Sequence, residues 1–294
     1  MDKIRRKNLM GELKLTQIWI YPIKSLGGIQ LAEAQVMGKG LKHDRRWMLV
    51  DNAGQFFTQR AHPIMALFNL SLDEGALTIT YKGSSINVPL DLPPIHVPLE
   101  VQIWDDKVIA FEVSRDHSQW FSQKMGIPCK LVVFPEENPR QVEPDHVAAG
   151  ENVSLADAYP FLIIGQASLE DLNGRLTTPV SIKRFRPNLV FTGGEPYVED
   201  SWKDITIGDA TFRGIKPSSR CVLITIDPET AIQGVEPLRT LNTYRRKNNK
   251  TYFGQNMISM KLGTIRRGDI IAVHNTVGPG NGQLAGSQTT GLSA

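Results

Sequence analysis

The sequence predicts a β-rich α+β fold, and three observations carry that prediction. Ten short runs mix β-branched with aromatic residues between frequent turns, and two stretches show the spacing of amphipathic helices. A chain of 294 residues with 41% hydrophobic and 21% charged side chains can also bury a sizeable core. The length suits one large domain or two closely packed smaller ones, and the pattern favours two.

Along the chain, LTQIWIYPI (15–23), AEAQVMG (32–38), RWMLVD (46–51), ALTITYK (76–82), VQIWDDKVIAFEV (101–113) and CKLVVFP (129–135) supply the strands of an N-terminal region, residues 13–135. HSQWFSQKM places Trp120, Phe121 and Met125 on one face of a helix over 117–125. PEENPRQVEPDHVAAGENVSLADAYP (135–160) is polar and Pro-rich, which predicts a domain connection or an exposed loop; the C-terminal region then spans 136–273. In it PFLIIG, NLVFTGG (188–194), ITIGDATFRGIK (205–216), CVLITID (221–227) and DIIAV (269–273) read as strands. A helix is expected over 168–176, because Ser168 and Asp171 approximate a capping box and Leu169, Leu172 and Leu176 keep helical spacing. The Gly/Ser/Thr-rich remainder, 274–294, is expected to be a flexible tail.

Composition excludes several functions. A net charge of +3 without a basic stripe argues against nucleic acid, and Arg245-Arg246-Lys247 with Lys250 reads as a solvated loop. No apolar run reaches the roughly 18–20 residues of a membrane helix, and MDKIRRKNLMGELK lacks the apolar stretch of a signal peptide. A cytoplasmic, monomeric protein without a membrane partner is expected. Cys129 and Cys221, the two cysteines, build neither a disulfide framework nor a four-thiolate zinc or iron–sulfur site. Any electrons must therefore come from another protein. G-x-x-x-x-G-K-[ST], G-x-S-x-G and H-E-x-x-H are all missing, and the six histidines lack ligand spacing.

What remains is a set of polar residues at strand ends. Lys24 and Ser25 lie in YPIKSLGG, Arg45 in HDRRWMLVD, Arg186 and Asn188 in KRFRPNLVF, and Ser219, Arg220 and Cys221 open CVLITID. Singly, each has an ordinary structural reading as a surface charge, an anchor or a small buried thiol.

Together they carry a resemblance. YPIKSLGG, DRRW followed by QRAHPIMA, FRPN, SWKD with IGDA, SRCVLITIDPET, PLRTLNTYRR and FGQN occur in this order over residues 13–273. They resemble the MOSC proteins with a MOSC N-terminal β-barrel region, the branch of the mitochondrial amidoxime-reducing component and its bacterial relatives. The resemblance implies an N-terminal β/α region packed against a C-terminal MOSC β-barrel, with molybdenum cofactor in the cleft between them and Cys221 as the protein's ligand to molybdenum. Chemistry agrees: the metal favours a soft, deprotonated sulfur, and an adjacent Arg220 favours the thiolate. Lys24, Arg45 and Arg186 would make charge-assisted contacts to the cofactor phosphate, and Ser25, Asn188 and Ser219 would address the pterin edge.

The implied activity is two-electron reduction of N-hydroxylated small molecules such as amidoximes, hydroxylamines and N-hydroxylated nucleobases. The electron donor would be a ferredoxin, flavin reductase or cytochrome type of protein. Asp157, in SLADAYP, corresponds to an acidic residue near the cofactor and is assigned to positioning or proton transfer. Asn256 stands where mitochondrial members have a tyrosine after FGQ, so an amide contact replaces a ring there. Bacterial relatives that carry a C-terminal ferredoxin-like domain differ from this sequence, which implies a separate reductase or a lost domain with the Gly-rich tail as its linker. The alternative function is a cofactor carrier or sulfuration-related protein without reductase activity.

Overall fold

Residues of the central strands alternate into two cores. In a computed structural model that describes residues 11–73, 75–91, 98–142 and 151–277, strand β1 (Lys14–Ile20) sends Leu15, Ile18 and Ile20 into one apolar cluster, and Trp19 and the following Tyr21 into another. The same division splits Phe161 and Ile163 from Leu162 and Ile164 in β12 (Phe161–Gly165), and Leu189 and Phe191 from Val190 in β13 (Leu189–Thr192). Strands covered on both faces read as unbroken apolar runs, as FLIIG does.

These strands belong to a large sheet completed by β2 (Ile29–Leu31), β14 (Trp202–Ile207), β15 (Ala210–Arg220), β17 (Lys250–Lys261) and β19 (Ile271–Thr276), in the order β19-β14-β15-β17-β12-β13-β1-β2, with β16 (Arg246–Lys247) beside β17. β12 and β13 pair in parallel, whereas β1 and β13 are antiparallel. The β19 edge returns to β1: Leu15 N–H donates to the Asp269 carbonyl (2.8 Å), Ile271 N–H donates to the Leu13 carbonyl (2.9 Å), and Lys14 bridges Ile270. That return curls the sheet into a barrel.

The other sheets serve the N-terminal region. β5 (Trp47–Val50), β11 (Lys130–Val133), β10 (Asp106–Glu112) and β9 (Pro98–Ile103) form one sheet, and β6 (Asn69–Asp73), β7 (Ala76–Tyr81) and β8 (Ser84–Pro89) another. Helix α1 (Arg115–Met125) packs here, burying Phe121 and Met125 with Trp47, Phe68 and Leu131. Ser114 caps it by accepting from His117 N–H, and Gly126 ends it in the left-handed region. β18 (Gly263–Arg266) pairs with β3 (Glu33–Met37), which pairs with β4 (Gly40–Leu41). β1 and β3 thus pair with β13 and β18 of the C-terminal half, and the sequence division at 135/136 is not a division between sheets. The strand-rich α+β expectation agrees with this architecture.

Several expectations are corrected. CVLITID is not a strand: β15 stops at Arg220, and Val222–Thr225 forms a 3₁₀ turn whose Ile224 packs into the second core. Burial of that side chain overrides the β-propensity of the run. Helix α2 (Gln166–Gly174) starts earlier than expected, and Ser168 does not cap it. Its hydroxyl is buried, donates to Glu199 (2.8 Å) and accepts from Tyr197 N–H (2.7 Å). Helix α3 (Leu238–Tyr244) is too short for its periodicity to stand out.

Arg245 is not solvated: it is buried in an ion pair with Asp200 (2.5 Å) and lies over the Tyr197 ring. The described parts of 135–160 keep exposed residues such as Glu137 and Gln141 but are also anchored, since buried Arg140 bonds Asp106 (2.9 Å) and the Ser154 and Ala156 carbonyls (both 2.6 Å). β19 reaches Thr276, and the tail from residue 278 lies outside the described residues. Among the described residues no helix is long and apolar enough to cross a membrane.

Candidate functional site

Strand ends meet at one pole of the large sheet. Because β1 and β13 are antiparallel, with Ile18 opposite Leu189, the residues after β1 lie beside those before β13. β12 runs parallel to β13, so its approach arrives at the same pole. β15 ends there across β17, where Arg220 faces Thr251 and Lys216 faces Asn256, which is itself opposite Leu162 of β12. The topology therefore brings Lys24, Ser25, Arg45, Asp157, Arg186, Asn188, Ser219, Arg220, Cys221 and Asn256 onto one cleft of about 390 Å³. That volume is in the range of small-molecule sites.

The cleft is strongly cationic. Arg60, Lys216 and Lys250 also line it, so among the described residues its wall carries seven lysines and arginines against one carboxylate, Asp157. Along one wall the guanidiniums of Arg45 (4.6 Å) and Arg186 (4.1 Å) both lie over the buried ring of Tyr21. Gly28 leaves room for that ring, since a Cβ there would fall 2.5 Å from it. Arg186 donates to the Leu26 carbonyl (2.6 Å), and burial lowers its guanidinium to about 10.

Asn188 lines the cleft and is tied into the surrounding strands. Its amide oxygen accepts from Arg45 (3.2 Å) and from Leu162 N–H (3.3 Å), while its nitrogen donates to the Trp19 carbonyl (3.2 Å) and to Asp44 (3.1 Å). These four bonds occupy the amide, and they tie Asn188 to Arg45 within the cleft lining.

Lys24 is buried and bonds Asp157 (2.5 Å) and the Leu155 carbonyl (2.8 Å). Burial lowers its ammonium to about 8, against the raising effect of Asp157. Removal from water alone would raise the Asp157 carboxyl, but Lys24, Arg60 and the Trp104 indole N–H hold it well below the usual carboxylate range. Trp104 lies in the turn joining β9 and β10, and its Nε1 donates to Asp157 at 3.3 Å.

Cys221 is exposed at the cleft, directly after β15. Arg220 bonds the Phe185 carbonyl (2.7 Å) and Ser218 (3.1 Å). The hydrogen bond to the thiol comes from the other half of the chain, where Arg60 Nη1 lies 3.6 Å from Sγ. Sequence reasoning missed Arg60, Lys216 and Lys250 in the cleft lining, and Tyr21 and Trp104, which pack against its arginines. Arg60 stands within QRAHPIMA and Tyr21 within YPIKSLGG, so the motifs enclosed both, but nothing local marks either as part of this cleft.

A phosphorylated, sulfur-bearing cofactor fits this wall. Arg220 Nε and the Tyr21 hydroxyl are buried without a hydrogen-bond partner, and orphaned donors beside surplus positive charge suit an anionic ligand rich in acceptors. Burial also lowers Arg220 to about 10, a cost that a bound anion would offset. Among the described residues no group of three or more His, Cys, Asp or Glu side chains could hold a metal. A metal here would take the Cys221 sulfur from the protein and its other ligands from the cofactor.

Comparison with known proteins agrees with this chemistry. The MOSC N-terminal beta barrel domain family matches residues 12–128, and the MOSC domain family matches residues 145–272. The Mus musculus mitochondrial amidoxime-reducing component 1 is 34% identical over 283 residues, covering 90% of this chain and 83% of that protein. The Homo sapiens protein of the same name is 32% identical over 286 residues, with coverage of 90% and 84%. Molybdenum cofactor sulfurase of Arabidopsis thaliana is 31% identical over 263 residues, which is 82% of this chain and 32% of that longer protein. With a relative above 30% identity matched over most of its length, and with both domains present, the chain belongs to the MOSC family and has a molybdenum-cofactor-related function.

Proposed function

We propose that this protein is a molybdenum-cofactor-dependent reductase of N-hydroxylated compounds. The observation that carries the reading is an exposed thiol, Cys221, set in a cleft whose wall holds seven cationic side chains and one carboxylate. The relatives named for amidoxime reduction supply the reaction class.

Bound in this cleft, the cofactor would supply the two-electron chemistry by which an N–OH group and two protons become N–H and water. Cys221 holds the metal. Arg186 and Arg45, both over the Tyr21 ring, grip the phosphate, with Arg220 and the serines at 25 and 219 donating to the pterin portion. An ionised Asp157 is poorly suited to give up a proton, so of the two roles expected for it, positioning is the one retained: it fixes Lys24, Arg60 and Trp104 around the opening. Electrons come from outside these 294 residues, whose two cysteines cannot hold an iron–sulfur cluster.

Molybdenum analysis of protein made in cells that assemble the cofactor, followed by reduction of 6-N-hydroxylaminopurine or benzamidoxime with an artificial donor, tests the reading. Stoichiometric molybdenum and turnover are expected. The similarity to molybdenum cofactor sulfurase favours a second reading, a carrier or sulfuration-related role, which molybdenum without turnover would select. Protein free of molybdenum would refute both.

A further inference from the structure

We propose that Arg60 is a positioning residue that donates a hydrogen bond to the ligand sulfur of Cys221 and thereby sets how readily the bound metal is reduced. The proposal rests on Cys221 as the metal ligand and adds to it a residue from the opposite half of the chain.

Three contacts fix the guanidinium. Its Nη1 lies 3.6 Å from Cys221 Sγ and 3.7 Å from Asp157 Oδ2, and its plane lies over the Trp104 indole at 4.4 Å. Trp104 is itself held, by its bond to Asp157 (3.3 Å) and by an edge-on contact with Phe56 (5.0 Å). Trp104 also has a left-handed backbone, φ 56°, a conformation that a bulky residue adopts only when its surroundings enforce it. The arginine is therefore aimed by a supporting layer rather than left free in solvent.

A hydrogen bond to a ligating sulfur withdraws electron density from it. The sulfur then donates less to the metal and the reduced state gains stability, as in other metal–thiolate centres whose potentials follow hydrogen bonds to sulfur.

The test is a redox titration of the Mo(V) electron paramagnetic resonance signal in molybdenum-loaded wild type, Arg60→Met, Arg60→Lys and Trp104→Ala, each checked for melting temperature and metal content. At wild-type loading, Arg60→Met is expected to shift the midpoint to lower potential, alter the signal, and lower kcat by roughly 10- to 100-fold with little change in KM. Arg60→Lys should recover part of the shift, and Trp104→Ala should give a smaller shift of the same sign. An unchanged midpoint and signal in fully loaded Arg60→Met overturns the proposal while leaving Cys221 as ligand. Folded Arg60 variants that lose molybdenum overturn it too, by making Arg60 a group that retains the cofactor. Wild type without molybdenum removes the parent reading as well.

Discussion

Lys24→Met should change how stability depends on pH, because Lys24 is a buried ammonium. In the cofactor-free protein burial lowers Lys24 to about 8, below its ordinary value of 10.5 despite the adjacent Asp157. Between those two values the unfolded chain keeps the proton and the folded chain has released it. Stability must therefore rise with pH across this window, and the penalty is present in full only below about 8. At about 1.4 kcal/mol for each pH unit, the window is worth about 3 kcal/mol. Lys24→Met cannot make this gain. It leaves the Leu155 carbonyl without its ammonium partner, a cost that does not vary with pH. Urea unfolding of both cofactor-free proteins from pH 7 to 10.5 isolates the effect, since every other titrating group is common to the pair. The wild type should gain about 3 kcal/mol on the variant over that range. Parallel stability curves would refute the burial of a charged Lys24.

Cys221→Ala should abolish molybdenum retention and turnover while moving stability by no more than about 0.5 kcal/mol, because an exposed side chain is lost; metal analysis and urea unfolding check both halves. Arg186→Ala should weaken cofactor retention more than it weakens the fold, since it deletes one of the two guanidiniums lying over Tyr21. Equal cofactor content in variant and parent would count against that. Glu199→Gln should become increasingly favourable relative to wild type from pH 5 to 8. Burial, reinforced by Asp200, raises this carboxyl from 4.5 to about 7, so its contribution is intact below 4.5 and is lost as pH rises through about 7. Identical stability profiles in the two proteins would contradict it.

The strands and the residues of the cleft were more legible in the sequence than the way those residues are used. Period-two and continuous apolar patterns marked most strands because each strand buries at least one face, as Trp202, Ile205 and Ile207 do along WKDITI. CVLITID misled because its composition suits a strand while Ile224 gains more by turning into the core behind the cleft. Arg245 misled because a run of basic residues looks solvated until a distant Asp200 is known to pair with it. The motif residues converge on one cleft, yet their partners are long-range: Arg60 meets Cys221 across 161 positions, and Asn188 meets Asp44 across 144. No local pattern encodes such contacts. Adjacency in sequence suggested Arg220 as the companion of the thiol, and both line the cleft, but nothing adjacent marked Arg60 as the residue that donates to the sulfur.

Several of the places where this protein departs from what stability alone would select lie together at the cleft. Ser25 (φ 69°), Arg45 (φ 50°), Trp104 (φ 56°) and Arg186 (φ 55°) all occupy the left-handed region without being glycine, at about 1 kcal/mol or more apiece. The same neighbourhood holds an ammonium and two guanidiniums whose affinity for protons burial has reduced, together with an orphaned donor on Arg220. A core shaped for stability alone would replace such groups with apolar side chains, as the cores on either side of the large sheet do. An anionic ligand with many acceptors reverses the account, because it neutralises the cations and satisfies the donors that water cannot reach. Whatever occupies the cleft must therefore stabilise the folded chain in proportion to its negative charge and acceptor count. A neutral apolar molecule of the same volume would gain no such benefit.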